Sequence, residues 1–192
     1  MPPKAKFTRQ EVIDKAFDIV VKDGLDALTA RSLGASLGSS PRPIFTVFNS
    51  MEEVQSCVIE KANAIYSQMV QSGLKEDLAF KGVGKAYIRF AGEYPKLFQL
   101  LFMRENAEEP DKNTVLQGIE GNYDNIVKSI EESYGFTRQT SLDLYMHLWI
   151  YSHGIAVLIA TGVCAFTPSQ ISDMLTEVFV AILKKFKSEE KK

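Results

Sequence analysis

The sequence predicts an all-α protein, and three observations support this prediction. Apolar residues recur at helical spacing along almost the whole chain, whereas no alternating strand pattern persists. Residue pairs with the spacing of helix caps stand in front of several of these segments. The 192 residues are 45% hydrophobic and 24% charged, which is typical of an ordinary soluble protein with ample capacity for a core.

The first predicted helix begins at a capping box and ends at a glycine. Thr8 and Glu11 have the spacing at which two residues cap each other's backbone amides. The apolar residues that follow keep a helical period until Gly24, which suits the residue just beyond a helix. The sequence therefore predicts a helix between these two signals.

Residues 29–54 hold two short helical patterns separated by a tight turn. Thr29 is placed to cap the first pattern, and Gly38 suits the left-handed position that ends it. Ser40 and Pro41 read as a cap and first-turn proline of the second pattern. The predicted small core of this unit consists of Leu33, Leu37, Ile44, Val47 and Phe48. Two short helices joined in this way are typical of a helix-turn-helix, whose second helix enters the DNA major groove.

Six further helices are predicted after this unit. They cover residues 51–72, 78–93, 95–104, 114–133, 138–162 and 168–187. Ser50 with Glu53, and Thr167 with Gln170, have the spacing of capping boxes. Gly82 and Gly84 inside the second of these helices would allow close helix approach, and the polar segment 105–113 is predicted to be a loop.

These elements predict two domains, residues 1–50 and residues 51–192. The charge is uneven between them. The net charge of the chain is −2, yet residues 1–50 hold seven Lys and Arg against five Asp and Glu. A basic amino-terminal part on an acidic body fits attraction to phosphate at one end only, although so small a difference also arises by chance.

Few residues offer catalytic or metal chemistry. His147 and His153 are six apart on one predicted helix and do not face together, and no glycine-rich phosphate loop, HExxH or CxxC motif occurs. The sequence therefore predicts no enzyme, no metal site and no cofactor. Cys57 and Cys164 are expected to be buried free thiols, and their use fits a cytoplasmic protein without a secretory signal. The apolar stretch 148–166 is interrupted by polar residues and glycines, and is expected to be a buried helix rather than a membrane span.

The chain resembles bacterial regulators of the tetracycline-repressor (TetR) family, most strongly over residues 9–60. The residues that carry the resemblance are Asp23-Gly24, Leu28-Thr29-Ala30-Arg31-Ser32-Leu33, Gly38-Ser39-Ser40, Ile44-Phe45 and Phe48-Asn49-Ser50-Met51-Glu52-Glu53. Trp149, His153 and Gly154 also resemble a Trp–His–Gly signature of some carboxy-terminal domains of this family. The chain departs from the family's pattern at residues 41–43, and at Met51, where members tend to carry a lysine used on phosphate. The resemblance implies a three-helix DNA-binding domain followed by a helical-bundle domain for ligand binding and dimerisation.

Ten residues are candidates for DNA contact: Lys4, Lys6, Thr29, Arg31, Ser40, Pro41, Arg42, Pro43, Phe45 and Thr46. Arg42 is expected to project from the first turn of the recognition helix, where a guanidinium can bind O6 and N7 of guanine together. A solvated side chain or a phosphate contact is the alternative. Thr46, one helical turn further on, is expected at a thymine methyl or a phosphate, and Pro43 at a thymine methyl. By resemblance, Phe45 holds the place of an aromatic residue that packs along the DNA backbone.

The other candidates are assigned to phosphate. Thr29, Arg31 and Ser40 stand at predicted helix starts, where free amides and the helix dipole favour anions. For Thr29 and Ser40, capping is the structural alternative and is compatible with a phosphate contact. Lys4 and Lys6, together with Arg9, form either an arm that reaches DNA or a disordered solubilising tail.

The second domain is rich in large aromatic and sulfur-containing residues. The effector-binding candidates are Tyr87, Phe90, Phe98, Phe102, Met103, Tyr123, Met146, Trp149 and His153. Helical spacing alone predicts a core position for each, but their number favours an internal apolar pocket between the helices that carry residues 98–103 and 145–153. His153 is either a core histidine or a polar contact of that pocket. The family resemblance implies a small apolar or aromatic effector.

The last two predicted helices carry more apolar surface than one buried face requires. Family members pair these helices into a dimer, so the resemblance implies a homodimer that reads a palindromic operator. It further implies a repressor that the effector releases through the helix beginning at Met51. The alternative is a helical ligand-binding or interaction protein without sequence-specific DNA recognition.

Overall fold

The computed structural model describes residues 6–104 and 114–189, and within these ranges the chain contains helices and no β-strand. Its α-helices are α1 (Arg9–Asp23), α2 (Ala30–Ser36), α3 (Met51–Gly73), α4 (Ala79–Glu93), α5 (Pro95–Phe102), α6 (Val115–Ile119), α7 (Tyr123–Tyr134), α8 (Arg138–Ala160) and α9 (Pro168–Glu189). Two 3-10 turns, Leu25–Ala27 and Arg42–Thr46, flank α2. The all-α prediction is confirmed, and the predicted loop 105–113 lies outside the described residues.

The chain divides into two compact units. The first unit contains Met1–Ile65 and Lys96–Arg104, and the second contains Tyr66–Pro95 and Glu105–Lys192. The division falls within α3, between Ile65 and Tyr66. The sequence placed its domain boundary at the start of α3, whereas the packing of the backbone assigns the first part of α3, and α5 from Lys96 onward, to the amino-terminal unit.

The first unit is built around α1, α2 and the amino-terminal part of α3. The predicted capping box is present, since the Thr8 amide donates to Glu11 Oε2 at 2.7 Å and the Glu11 amide donates to Thr8 Oγ1 at 3.2 Å. The helix ends at Gly24, whose φ of 87° favours glycine. The buried side chains of this unit are Val12, Ala16, Phe17, Val20, Leu28, Leu33, Ile44, Phe48, Val54, Val58 and Ala62, together with Leu97, Phe98 and Leu100 of α5. Of the predicted small core, Leu37 and Val47 are half-buried.

In the second unit, α4 packs against α7, α8 and α9, and α8 also packs against α7 and α9. The largest fully buried side chains are Phe90, Ile88, Ile126, Ile130 and Leu144. A Cβ at Gly73 would lie 2.5 Å from the Gly82 carbonyl oxygen, so the α3–α4 connection closes too tightly for a side chain. The predicted close approach is therefore present at Gly82, whereas a Cβ on Gly84 would make only an ordinary contact, 3.4 Å from Ser152 Oγ. The helix α8 is long and apolar enough to cross a membrane, a test that core helices of bundles also pass.

One helix prediction is wrong, because residues 114–133 form two helices rather than one. At Glu120 the backbone is extended (φ −121°, ψ 101°), and α7 begins three residues later. The Glu120 carboxylate accepts a hydrogen bond from the Asn122 backbone amide at 3.0 Å. A side chain that takes up a nearby amide competes with the helical hydrogen bond, which favours a break here.

The prediction of two buried thiols is also wrong in part. Both cysteines are free, but Cys57 is half-buried and Cys164 is exposed. The helix α8 ends at Ala160, and Gly162 follows with a φ of 71°. Cys164 therefore lies in the connection to α9 rather than on a buried helical face.

Candidate nucleic-acid interface and ligand cavity

The turn after α2 has the tight geometry that the sequence predicted. Thr29 caps α2, with its Oγ1 accepting from the Ser32 amide at 3.1 Å. Gly38 has a φ of 63°, the left-handed conformation expected of it. A Cβ at Gly34 would lie 3.0 Å from the backbone of Ser40 and Pro41, so this glycine lets the turn fold closely over α2. The two segments are thereby held at short range.

The segment that follows the turn is a 3-10 turn, Arg42–Thr46, and not the predicted α-helix. Its amides bond three residues back, as in the 3.1 Å bond from the Ile44 amide to the Pro41 carbonyl. The expected cap from Ser40 is absent, because Pro41 holds the cap position and makes no side-chain bond there. A residue that precedes proline is disfavoured in the α conformation, and both Ser40 and Arg42 precede one. This explains the short, tight segment.

The 3-10 geometry changes which side chains lie together. Residues three apart line up in such a turn, so Arg42 lies over Phe45 and Pro43 over Thr46. Ile44 is fully buried, whereas Phe45 is 45% exposed and Arg42 and Thr46 are also exposed. The Thr46 hydroxyl donates to the Pro43 carbonyl at 2.7 Å, so its proton is already used. The outward surface therefore offers a guanidinium, an aromatic ring and the Thr46 methyl.

Basic side chains lie beside this surface. Arg31 and Arg42 are exposed, and neither has an ion-pair or hydrogen-bond partner among the described residues. The Lys6 ammonium donates to Ser39 Oγ at 3.0 Å, which places it against the turn. Lys4, the other lysine predicted at DNA, lies outside the described residues. The unit thus presents three cations around residues 39–42 and α2.

Arg9, which the sequence placed in the amino-terminal arm, is instead part of the folded unit. Its guanidinium donates to Glu53 Oε1 at 2.7 Å and to the Val47 carbonyl at 3.2 Å, and lies 4.1 Å from the centre of the Phe48 ring. The Asn49 backbone amide, and then Arg9, lower the pKa of Glu53. Sequence reasoning missed this role because the partners lie more than thirty residues away. The contacts tie α1 to the end of the 3-10 turn and to α3.

The second unit encloses a cavity of about 180 Å³. Side chains from α4, α8 and α9 form most of its wall, with contributions from α3, α7 and the break between α6 and α7. The lining residues are Tyr66, Leu78, Phe80, Lys81, Val83, Gly84, Tyr87, Glu120, Tyr134, Tyr145, Leu148, Trp149, Ser152, Leu175, Thr176, Phe179 and Val180. The wall is therefore mainly apolar and aromatic, with a small number of polar groups.

The polar groups of the wall are ordered by hydrogen bonds. The Tyr66 hydroxyl donates to Glu120 Oε2 in a short hydrogen bond, and Asn122 Nδ2 donates to Ser67 Oγ at 3.2 Å. Burial raises the pKa of Glu120, while the bonds from Tyr66 and Asn122 act in the opposite direction. Burial, and then the negative charge of Glu120, raise the pKa of Tyr66 and of Tyr145 well above the usual value. Both phenols are therefore neutral donors at physiological pH.

Trp149, Tyr87 and His153 form one hydrogen-bonded group. The Tyr87 hydroxyl bonds His153 Nδ1 at 2.8 Å and also bonds the Trp149 side chain. An indole N–H only donates, so the Tyr87 oxygen accepts from Trp149. Burial lowers the pKa of His153, and a neutral imidazole then accepts the Tyr87 proton at Nδ1. The Trp149 and His153 rings stack with centroids 5.2 Å apart. Two of the three signature residues named from the sequence are thus joined at the cavity wall.

Of the predicted effector contacts, Tyr87 and Trp149 line the cavity. His153 lies behind Tyr87, and Phe90 packs on Tyr66 with ring centroids 5.3 Å apart. Tyr123 packs on Tyr145 and does not line the cavity. Met146, which is half-buried on α8, does not line the cavity either. The remaining three candidates, Phe98, Phe102 and Met103, belong to the first unit.

Sequence reasoning missed several lining residues, above all Tyr66 and Glu120. The sequence gives only a weak indication that these two residues belong to one site, because Tyr66 lies within a helical pattern and is 54 residues away from Glu120. A carboxylate within an otherwise helical pattern, beside Gly121, was the one local sign of a special site.

Comparison with known proteins agrees with this architecture. Residues 80–183, more than half of the chain, match the family described as "Tetracyclin repressor-like, C-terminal domain". An uncharacterised HTH-type transcriptional regulator of Mycobacterium tuberculosis is 23% identical over 163 residues, 83% of this chain and 73% of that protein. The uncharacterised HTH-type transcriptional regulator YobS of Bacillus subtilis is 23% identical over 167 residues, 83% of each chain. The chain belongs to the tetracycline-repressor family of DNA-binding transcriptional regulators.

Proposed function

We propose that this regulator is a cytoplasmic homodimeric repressor that binds a palindromic operator and is released by a small apolar or aromatic effector. The observation that carries the DNA-binding part is the exposed Arg42, which has no acidic partner among the described residues and projects from the 3-10 turn beside Phe45. A guanidinium in this position is suited to O6 and N7 of one guanine. Phe45 then packs along the DNA backbone, and the Thr46 methyl meets a thymine methyl.

The remaining contacts position the protein on phosphate. Lys6 at the turn and Arg31 on α2 provide charges, and the exposed end of α2 at Thr29 offers a favourable helix dipole. Two such units, with recognition segments about 34–36 Å apart, read two half-sites one DNA turn apart. Pro41 and Pro43 lack amide protons, so they stiffen the segment without adding phosphate donors.

The aromatic cavity supports the effector part of the proposal. Its volume of about 180 Å³ exceeds the roughly 150 Å³ of an engineered apolar cavity that accepts benzene. A ligand with one ring and a short substituent therefore fits. Tyr66 lies on α3, so a ligand in the cavity contacts the helix that begins at Met51. It shifts DNA affinity only by the difference in its affinity for the two states of the protein.

Exposed apolar side chains support dimerisation through the last two helices. Ile150 is 56% exposed, Leu158 37% and Val180 38%, and Val163 after α8 is 72% exposed. A Cβ on Gly154 would meet nothing within 4 Å, so this part of α8 presents an open surface. Apolar surface of this kind on α8 and α9 suits an isologous two-fold contact.

A DNA titration tests the proposal. Fluorescence anisotropy is measured with a labelled duplex from upstream of the protein's own gene, and with a random duplex of equal length. Arg42→Ala is expected to weaken binding to the specific duplex about ten- to hundredfold and to relax the preference at one base pair. Arg31→Ala is expected to weaken both duplexes alike and to lower the salt dependence by about one phosphate contact.

Three results would contradict parts of this proposal. Equal losses on both duplexes for both variants would refute the roles given to Arg42 and Arg31. Equal binding of the wild type to every duplex would favour a ligand-binding protein without sequence-specific recognition. If no compound of a one-ring library changes the affinity for the operator, the effector part of the proposal is refuted, while the DNA-binding part stands.

A further inference from the structure

The cavity wall contains a buried carboxylate whose partners are all neutral. Glu120 is 5% exposed, and its oxygens accept from the Tyr66 hydroxyl and, at 3.0 Å, from the Asn122 backbone amide. Within residues 6–104 and 114–189, no lysine, arginine or histidine nitrogen comes within the 4.0 Å of an ion pair with this carboxylate. Buried carboxylates are normally paired with a positive charge. The site therefore lacks a countercharge that a ligand can supply.

The cationic side chain on the described cavity wall is engaged elsewhere. The Lys81 ammonium donates to Thr176 Oγ1 on α9 at 2.8 Å, in an exposed position. It is thus held by a neutral hydroxyl at the solvent side of the wall. Glu120 and Lys81 therefore act as separate polar features of the cavity.

Glu120 retains capacity for a further donor. A carboxylate offers about four lone-pair positions. The Tyr66 hydroxyl and the Asn122 amide each take one, and Asn122 Nδ2 approaches Oε1 at 3.5 Å. At least one position is left for a ligand, and Glu120 borders the cavity.

Aromatic rings surround the same space. Tyr66, Tyr145 and Trp149 line the cavity with Phe80 and Phe179, and Phe80 meets Tyr145 edge-on at 5.7 Å. The faces of tyrosine and tryptophan rings attract cations, and the attraction is strongest where water is excluded. A carboxylate within an aromatic wall is a combination that selects positive charge over a neutral group of the same shape.

We propose that the cavity binds a small organic cation, an alkylamine that carries one aromatic ring, with its ammonium on Glu120 and its ring among Tyr66, Tyr145 and Trp149. This inference rests on the proposed function, since it names the class of effector that the cavity takes. A neutral alcohol of the same shape donates only one uncharged hydrogen bond to Glu120. A carboxylate of similar shape is repelled by it.

The test uses three probes of matched shape and different charge: phenethylamine, 2-phenylethanol and phenylacetate. Binding to the full-length protein is measured by calorimetry, without DNA, and followed by the fluorescence of Trp149, the single tryptophan of the chain. Phenethylamine is expected to bind about tenfold more tightly than 2-phenylethanol or better, because a charged donor on a carboxylate outweighs a neutral one. Phenylacetate is expected not to bind.

Glu120→Gln keeps the shape and an acceptor for Tyr66 but removes the charge. It is expected to abolish the preference for phenethylamine over 2-phenylethanol. Glu132→Gln is the matched control, since that carboxylate is exposed on α7 and pairs with Lys128 at 3.7 Å. The control is expected to keep the full preference, and circular dichroism verifies that both variants are folded.

The wild-type comparison is decisive even if Glu120→Gln does not fold. Equal or tighter binding of 2-phenylethanol would overturn the inference while leaving a ligand-binding cavity in place. Absence of phenethylamine binding at millimolar concentration would overturn it as well. A preference that survives Glu120→Gln would show that the ammonium binds elsewhere. The DNA titrations and the library screen decide the proposed function independently of these results.

Discussion

A single methyl group on Gly82 should destabilise the second unit, whereas the same change at Gly84 should stabilise it. Both glycines lie inside α4, where replacing glycine by alanine favours the helix by about 1 kcal/mol. Their surroundings differ. A Cβ on Gly82 would overlap the Gly73 carbonyl, approaching its carbon to 2.9 Å, whereas a Cβ on Gly84 would lie at an ordinary 3.4 Å from Ser152 Oγ.

The magnitudes decide the sign at each position. At Gly82 the atom in the way belongs to the backbone, so the α3–α4 connection must open. Overpacking costs about 1–3 kcal/mol, and a Cβ that would overlap the Gly73 carbonyl oxygen places this change at about 2–3 kcal/mol. The helical gain offsets about 1 kcal/mol of that cost. Gly82→Ala should therefore lower the free energy of unfolding by about 1–2 kcal/mol. Gly84→Ala should raise it by up to about 1 kcal/mol, because nothing has to move.

Thermal unfolding by far-ultraviolet circular dichroism measures this difference. For a chain of this length 1 kcal/mol corresponds to about 2–4 °C, so a difference of about 1–3 kcal/mol between the two variants should separate their midpoints by about 2–12 °C, with the wild type between them. Urea titration of the same variants gives the free energies independently. If Gly82→Ala equals or exceeds the wild type in stability, the tight approach of Gly73 and Gly82 is refuted.

Two further predictions use matched residues. Phe48 is 3% exposed, so Phe48→Ala should lower the free energy of unfolding by about 3–5 kcal/mol. Phe45 is 45% exposed, so Phe45→Ala should change the free energy of unfolding by less than about 0.5 kcal/mol but should weaken DNA binding. Thermal melts and anisotropy test this, and a large stability loss at Phe45 would contradict its outward position. Burial lowers the pKa of His153 in the folded protein below the value of about 6.5 expected in the unfolded chain. The contribution of His153 to the free energy of unfolding is therefore complete above about pH 6.5, and it is lost as the pH falls from there through the folded-state pKa. His153→Gln should flatten that decline in urea titrations across pH, and the exposed His147→Gln should not; identical pH profiles in both variants would refute the assignment.

The features that the sequence predicted well depend on neighbours in the chain. The capping box at Thr8, the cap at Thr29 and the box at Thr167 each link residues three apart, so composition and spacing suffice to identify them. The left-handed glycine at position 38 is equally local. Within the candidate DNA surface, the exposure of Arg42 and the burial of Ile44 followed from the same short-range pattern.

The 3-10 turn shows where local reasoning applied the wrong rule. Pro41 at the start of the segment is compatible with the predicted α-helix as well as with the observed 3-10 turn, because a first-turn proline lacks only an amide that has no helical partner. The second proline, Pro43, adds a restriction on Arg42 that the helical prediction did not weigh. The difference bears on the proposed DNA contacts, since in a 3-10 turn Arg42 lies over Phe45 rather than over Thr46.

The cavity could not be predicted residue by residue, because its wall is assembled from positions far apart in the chain. Helical spacing predicts a core position for Tyr87 without saying whether it meets other rings or leaves a space, and it did not single out Tyr66. The volume depends on how α4, α8 and α9 pack, and on α7 beginning only after the break at Glu120. Tyr87 and Trp149 were identified because they belong to the aromatic-rich segments, whereas Glu120 stood in a stretch read as continuous helix.

The break at Glu120 is therefore the most informative departure from local expectation. A continuous helix over 114–133 would satisfy the backbone amides and keep a carboxylate in water, and both are favourable. The chain instead interrupts the helix and buries the carboxylate against Tyr66, in a unit whose other buried side chains are largely apolar. Departures of this kind from otherwise consistent sequence signals are concentrated at functional sites. Since Glu120 lines the cavity, the cost of burying it is in keeping with the cation site that we propose there.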